Sequence, residues 1–318
     1  MKIFVYIQEE QSKINTISLE AIQGAQKIAE KSNGSVSAIT FNQETANSLT
    51  QYNLSEILYI EDPKLENYNP LYYLSAMEQI SKQESPDMII FGHTYEARDW
   101  VPRLSARLDI PFISDCIAFE INNDITFVRS IYQGKFNANY TINNKQSIIS
   151  FQSGAFKIDT IQSGTASVRN ISIDLSTTYD SITPGEKFQE SAQSVDLSQA
   201  NIIVSVGRGI GKEENLPTAK DLAAAIGGEL ASSRPIVDAG WLEPYHQVGS
   251  SGQTVAPTLY LALGISGAIQ HVVGMKGAKN IVVINKDPNA PLFEIADYGV
   301  VGDIFEIIPK LTELLQNT

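Results

Sequence analysis

The sequence is poor in the groups that most enzyme chemistry depends on. Its one cysteine, Cys116, cannot form an internal disulfide or share a metal with a second thiol. A reducing cytoplasm is the expected setting. The three histidines, His93, His246 and His271, leave few routes to histidine-based acid–base catalysis or metal binding. There is no G-x-S-x-G elbow, Walker loop, H-E-x-x-H or spaced Cys/His set. Basic residues are outnumbered, 23 against 36 acidic, for a formal net charge of -13. That excess argues against nucleic acid or an anionic membrane surface as partner, though a locally positive pocket stays open. No apolar run approaches the roughly eighteen residues of a membrane span, so no direct membrane insertion is expected. The opening MKIFVYIQEE reads as a first strand and not as a signal or transit segment.

What is present suits two folded domains. At 318 residues, 43% hydrophobic and 19% charged, the chain is longer than one core usually organises and is ordinary in composition. From Lys2 to Leu108, compact β-rich runs such as KIFVYI, VSAITF, EILYI and DMIIFG alternate with helical periodicity. This alternation indicates βαβ units and a parallel sheet. Pro102 should distort the helix expected over Ala97–Leu108 or mark its first turn. From Ile110 the texture changes: Phe112–Ala118, Ile125–Tyr132, Phe136–Ile142, Gln146–Phe151 and Ser167–Ile173 read as short strands, forming an antiparallel extension on the sheet's edge. Residues 176–194 are polar and aperiodic, which sets the expected boundary near 195: an N-terminal domain over 1–195, partner-facing, and a second over 196–318. The fold class is α/β, with a Rossmann-like first domain and a doubly wound parallel sheet in the second.

The second domain carries the most informative stretch, Glu229 to Asp303. Gly264-Ile265-Ser266-Gly267-Ala268 lies between an expected strand and an expected helix over Ser266–Met275. There, bare backbone N–H groups would receive a phosphate, and Ser266 would cap the helix. An ordinary strand-to-helix turn is the alternative. His271 follows Ser266 by a little more than a turn and so should project just beyond the cradle, unless it is a satisfied core histidine. Arg208, in a glycine loop after the first strand, and Arg234, between Ser233 and Pro235, stand where carboxyl ends of parallel strands open a crevice. Either reads equally as a surface arginine. Asn285 and Asp303 each end a strand, and a carboxylate there commonly accepts ribose hydrogens. In the first domain, His93, Tyr95, Arg98 and Asp99 cluster after FGH without forming a recognised catalytic set. A cofactor-holding protein fits these residues better than a bond-making enzyme. An NAD-using oxidoreductase on a similar fold and a cofactor-free assembly subunit remain the alternatives.

Ser232-Ser233-Arg234, Val237-Asp238-Ala239-Gly240, Gln247-Val248-Gly249, Val255-Ala256-Pro257, Gly264 through His271, Ile284-Asn285-Lys286-Asp287 and Ala296-Asp297-Tyr298-Gly299 together resemble the electron transfer flavoprotein alpha subunit. The likeness runs in order from about Asn201 to the C-terminus. It is looser in the first domain, where the opening strand, SPDMIIFGHT and the Ile131-Tyr132-Gln133-Gly134 turn carry it. The resemblance implies one FAD in the second domain. It also implies pairing with a beta subunit and passage of electrons from flavoprotein dehydrogenases, such as the acyl-CoA dehydrogenases of fatty acid beta-oxidation, to a membrane or respiratory-chain acceptor oxidoreductase. It implies an electron carrier, not an enzyme with its own substrate. By motif, Arg208, Ser233, Arg234, Val248, Gly249, Ser250, Ser251, Ser266, Gly267, Ala268, Ile269, Gln270, His271, Asn285, Asp303 and Ile304 would line the FAD. Arg234 would lie over the isoalloxazine ring, His271 near its pyrimidine edge and the Ser251 hydroxyl at N5. Ser250 and Gln253 stand where the family commonly has glutamine and lysine, a departure that bears on flavin potential and dehydrogenase choice rather than on FAD binding.

Overall fold

A computed structural model describes residues 1–10, 13–132, 134–143, 146–178, 181–185, 197 and 200–316. The chain divides into two units, Met1–Ser130 with Asn137–Lys187 and Ile131–Phe136 with Phe188–Thr318. The boundary expected near residue 195 lies outside the described residues.

The first unit runs β1 (Lys2–Tyr6), β2 (Glu9–Glu10), β3 (Lys13–Ile14), α1 (Thr16–Ser32), β4 (Ser35–Thr40), α2 (Gln43–Leu49), β5 (Glu56–Tyr59), α3 (Pro70–Glu84), β6 (Met88–Gly92) and α4 (Tyr95–Leu108). It continues with β7 (Phe112–Ile121), β8 (Ile125–Ile131), β9 (Phe136–Thr141), β10 (Ser147–Phe151) and β11 (Val168–Asn170). Nine of these strands form one sheet in the order β11-β5-β4-β1-β6-β10-β7-β8-β9. Alternate residues of β1 serve opposite faces. Ile3 and Val5 pack with Ile22, Ile28 and Phe151, whereas Phe4 and Tyr6 pack with Ile89, Phe91, Trp100 and Leu104. Both faces are therefore covered, as a parallel sheet requires. The helices start where side chains supply the missing acceptors: Asn15 accepts from the Ile17 N–H, Asn69 from Leu71 and Tyr72, and Thr94 from Ala97. Pro102 sits inside α4, which runs unbroken to Leu108.

One expectation is corrected here. β7 and β8 are antiparallel, as the change of texture predicts. β10, however, inserts between β6 and β7 and is parallel to both, and β11 pairs parallel with β5 near the opposite edge. All five residues of β10 are buried, as suits a central strand and not an edge extension.

The second unit runs β12 (Ile202–Val206), α5 (Leu216–Ala225), β13 (Glu229–Ser232), α6 (Arg234–Asp238), β14 (Leu259–Leu263), α7 (Ile269–Met275), β15 (Asn280–Asn285), β16 (Tyr298–Val301) and α8 (Ile304–Gln316). Its five strands lie in the order β13-β12-β14-β15-β16, every pair parallel. Val204, Leu261, Leu263 and Ile284 face one layer and Ile203, Tyr260, Ala262 and Val283 the other. This is a doubly wound sheet in which the chain leaves β12 in one direction for β13 and returns past it to β14. The carboxyl ends of β12 and β14 thus flank the point where strand order reverses. No described helix is long and apolar enough to cross a membrane.

Candidate functional site

Parallel pairing sends all five connections of the second unit out on one edge. Arg208 follows β12, Ser233 and Arg234 follow β13, Ser266 to Gln270 follow β14, Asn285 closes β15, and Asp303 follows β16. At the reversal point two loops touch backbone to backbone. Gly264 has φ +62°, and a Cβ on it would lie 2.6 Å from the Gly209 Cα. Any side chain there would separate the loops.

Ser266 does not cap α7. The helix starts at Ile269 with Ala268 as its cap residue and no side-chain bond, because left-handed Gly264 and Gly267 carry the chain through an extra turn first. Ser266 stays exposed, and its carbonyl accepts from the Leu292 N–H at 3.2 Å. Among the described residues, nothing accepts from the backbone N–H groups of Ser266, Gly267, Ala268, Ile269 and Gln270. Five consecutive unclaimed donors beside a reversal point are an anion cradle.

His271 also lies differently from expectation. It is 6% exposed and points into the core. Its Nδ1 lies 3.1 Å from the Val248 carbonyl and its Nε2 2.9 Å from the Tyr260 hydroxyl. A carbonyl only accepts, so Nδ1 carries the hydrogen and Nε2 accepts from Tyr260. Burial pushes its pKa down to about 4, partly offset by the Val248 bond, so the ring is neutral at physiological pH. The spacing from Ser266 set its height along the helix but not its direction, and it serves as a pin beneath the loop. Neighbouring bonds complete the clip: the Ser250 N–H donates to the Gln270 carbonyl at 2.8 Å and the Val255 N–H to the Gly274 carbonyl at 2.7 Å.

The remaining side chains sort by exposure. Ser250 and Ser251 are exposed, and Ser251 Oγ accepts from Gln247 Nε2 at 3.0 Å, which leaves its hydroxyl hydrogen free to donate. Arg208 and Arg234 are exposed, and Arg234 Nε pairs with Asp238 at 3.3 Å. Asp303 lies 2.9 Å from Lys286 Nζ and accepts from the Phe305 N–H, and these two contacts lower its pKa. Asn285 spends its amide on the Ile265 carbonyl and its oxygen on the Asp287 N–H, tying the β14 and β15 loops together. Ser233, Val248, Gly249, Gly267 and Ile304 are buried and shape the edge from beneath, the two glycines through close backbone approach; Ile304 packs in the core at 2% exposure. Tyr260, Gln247 and Lys286 act on the edge through the residues they hold and were absent from the expected set. Lys286 was signalled by the Asn-Lys-Asp turn, whereas Tyr260 sits in an apolar strand without any local mark.

An unclaimed row of N–H donors, two exposed guanidiniums, a free serine hydroxyl and an ionised carboxylate match a ligand with phosphates, a polar ring and ribose hydroxyls. The residues present fit FAD on those grounds. In the first unit the cluster after β6 is internally satisfied. His93 Nδ1 meets Ser150 Oγ at 2.9 Å, Nε2 accepts from Arg98 Nε at 3.1 Å, and burial lowers its pKa to about 4. Ser150 is fully buried, so no substrate reaches it. Tyr95 is exposed with Arg98 stacked over its ring, and Asp99 pairs with Arg103.

The sequence matches the electron transfer flavoprotein domain over residues 3–176 and the electron transfer flavoprotein FAD-binding domain over residues 196–276. It is 37% identical to a Bacillus subtilis electron transfer flavoprotein subunit alpha, across 98% of this chain and 96% of that one. Identity is 34% with the subunit alpha of Thermoanaerobacterium thermosaccharolyticum, across 98% and 96%. A subunit named lactate dehydrogenase (NAD(+),ferredoxin) subunit LctC, from Acetobacterium woodii, is 31% identical across 99% of this chain and 77% of its own.

Proposed function

The chain belongs to the electron transfer flavoprotein alpha subunits, whose second domain binds FAD, and from that premise we propose that it works in the cytoplasm as half of a heterodimer with a beta subunit. In this reading it accepts electrons from flavoprotein dehydrogenases, acyl-CoA dehydrogenases among them, and delivers them to a membrane or respiratory-chain acceptor oxidoreductase. FAD supplies the redox chemistry. The protein binds, orients and tunes it. The N–H row of Ser266 to Gln270 holds the phosphates, with Arg208 adding positive charge. The Ser251 hydroxyl donates to a ring nitrogen, Arg234 favours negative charge on the ring, and Asp303 accepts from a ribose hydroxyl. His271, neutral and buried, orders the loop that carries Ser250 and Ser251. The N-terminal domain, with its satisfied polar cluster, is assigned to partner contact.

The observation that supports this reading most is the common placement of these groups on the carboxyl edge of a single parallel sheet. A visible absorption spectrum of the chain, purified after co-expression with its beta subunit, tests it. A flavin spectrum that bleaches reversibly on stepwise reduction is expected. A colourless complex that takes up no added FAD would overturn it.

A further inference from the structure

The first unit has a carboxyl edge of its own, and it is hollow. A cavity of about 290 Å³ opens there, lined by Tyr6 and Glu9 around the end of β1, Phe41 after β4, Glu66 and Tyr68 after β5, and Glu96 on α4. Tyr73 from α3 closes its wall. It occupies the place where open α/β sheets take ligands, since β1 lies between β4 and β6 and the chain reverses strand order there. That volume lies near the lower end of small-molecule sites.

Two features of the lining point to one chemistry. The first is aromatic: ring centroids lie 5.6 Å apart for Tyr6 and Phe41, 4.9 Å for Phe41 and Tyr73, and 5.2 Å for Tyr68 and Tyr73, the last two pairs edge to face. These rings put π electrons in the wall beside the carboxylates, and a cation is attracted to π electrons where a neutral group of the same shape is not. The second is charge. Glu9 is half-buried and accepts from Thr40 Oγ1 at 3.0 Å, and Glu96 accepts from the buried Tyr6 hydroxyl at 3.1 Å. Among the described residues, no lysine or arginine pairs with Glu9 or Glu66. Burial raises the pKa of Glu9, the cost of holding a carboxylate there without a counter-charge. Aromatic rings beside carboxylates are the recognition chemistry of ammonium and guanidinium groups.

We propose that this cavity binds a small organic cation, an alkylammonium or guanidinium group on a compact body. The site does not rest on the flavin reading, because every residue of it lies in the first unit. The cation would meet the rings through its charge and the carboxylates through Coulomb attraction, and the net charge of -13 would raise its local concentration.

Isothermal titration of the full-length chain, in complex with its partner subunit, tests the site with choline and its neutral isostere 3,3-dimethylbutan-1-ol. Choline should bind at least about tenfold more tightly than the alcohol. Arginine amide, titrated alongside, separates a guanidinium preference from an ammonium one, and tighter binding of either than of the alcohol supports the proposal. Glu66→Gln, at an exposed side chain that carries little of the fold, should weaken the cation between about three- and tenfold, and Glu9→Gln about tenfold. Equal binding of choline and the alcohol, no binding of either cation at millimolar concentration, or unchanged affinity in the Glu66→Gln chain would each overturn the assignment.

Discussion

Arg234 is the first residue of α6, two-thirds exposed, with Asp238 one turn further along the same face. Its guanidinium is always charged, and its fork can hold Asp238 and still face a bound ring. An exposed unit charge at contact range contributes about 1 kcal/mol in water-like surroundings, equivalent to about 20 mV for a two-electron couple. Arg234→Ala should therefore retain FAD, since the phosphate-facing N–H row is untouched, while lowering the flavin potential by about 20 to 30 mV. The uncompensated Asp238 carboxylate acts in the same direction. Redox titration against a dye of known potential checks this, and retained flavin at an unchanged potential would remove Arg234 from its assigned role. The neutral His271 cannot supply the same charge, because protonating it would cost its bond from Tyr260 in a buried site.

At the scale of elements, α1 is docked through an unusual contact. Glu20 is 4% exposed on the buried face of this helix and accepts from the Gly154 N–H at 2.7 Å. Burial raises its pKa from 4.5 to about 8, against the smaller lowering effect of the Gly154 bond. Between those values the folded chain keeps a proton that the unfolded chain has released. The resulting stability is complete below about pH 4.5 and is lost as the pH rises through about 8, at no more than about 1.4 kcal/mol per unit. Glu20→Gln keeps an acceptor for Gly154 and removes the titration. Its urea midpoint should hold steady from pH 5.5 to 8 while that of the parent falls; parallel pH profiles would show that Glu20 ionises freely. Elements of this kind were legible in different degrees. The strands β1, β4, β5 and β6 were readable because strands buried on both faces are compact apolar runs, whereas the caps Asn15, Asn69 and Thr94 are marked by nothing beyond their residue type. The partners of β10 and β11 were not readable, since alternation fixes a strand's faces and says nothing of its neighbours. The same limit hid the inward turn of His271 and the cavity around Tyr6, whose walls come from loops far apart in the chain. The residues expected on the carboxyl edge of the second sheet were picked out by motif, as was Gln247 within Gln247-Val248-Gly249, whereas Tyr260, which holds His271, carries no motif of its own.

Across the whole molecule, two α/β units follow one architectural rule, with the carboxyl edge of each sheet left for recognition and both faces spent on core. Their edges differ in sign. Carboxylates dominate the cavity at the first edge, while Arg208, Arg234 and Lys286 gather at the second, local cations in a chain that is acidic overall. An anionic dinucleotide should therefore leave its mark on one edge. Unclaimed N–H groups in an exposed loop exchange quickly with solvent hydrogen, and phosphate oxygens that accept from them slow the exchange. At a free ligand concentration a hundredfold above Kd, binding adds about 2.7 kcal/mol to the closed state, a factor of about 100 in opening. Hydrogen exchange of the FAD-loaded and FAD-stripped chain should show the largest added protection over residues 264–271, with less over 207–211 and 249–252. β1, β4 and β6 should exchange alike in both forms. Protection spread evenly through both sheets would mean that FAD acts by general tightening of the chain, and no change over 264–271 would place the phosphates elsewhere. The readout needs no turnover, so it separates where FAD is held from whether a donor or acceptor is present.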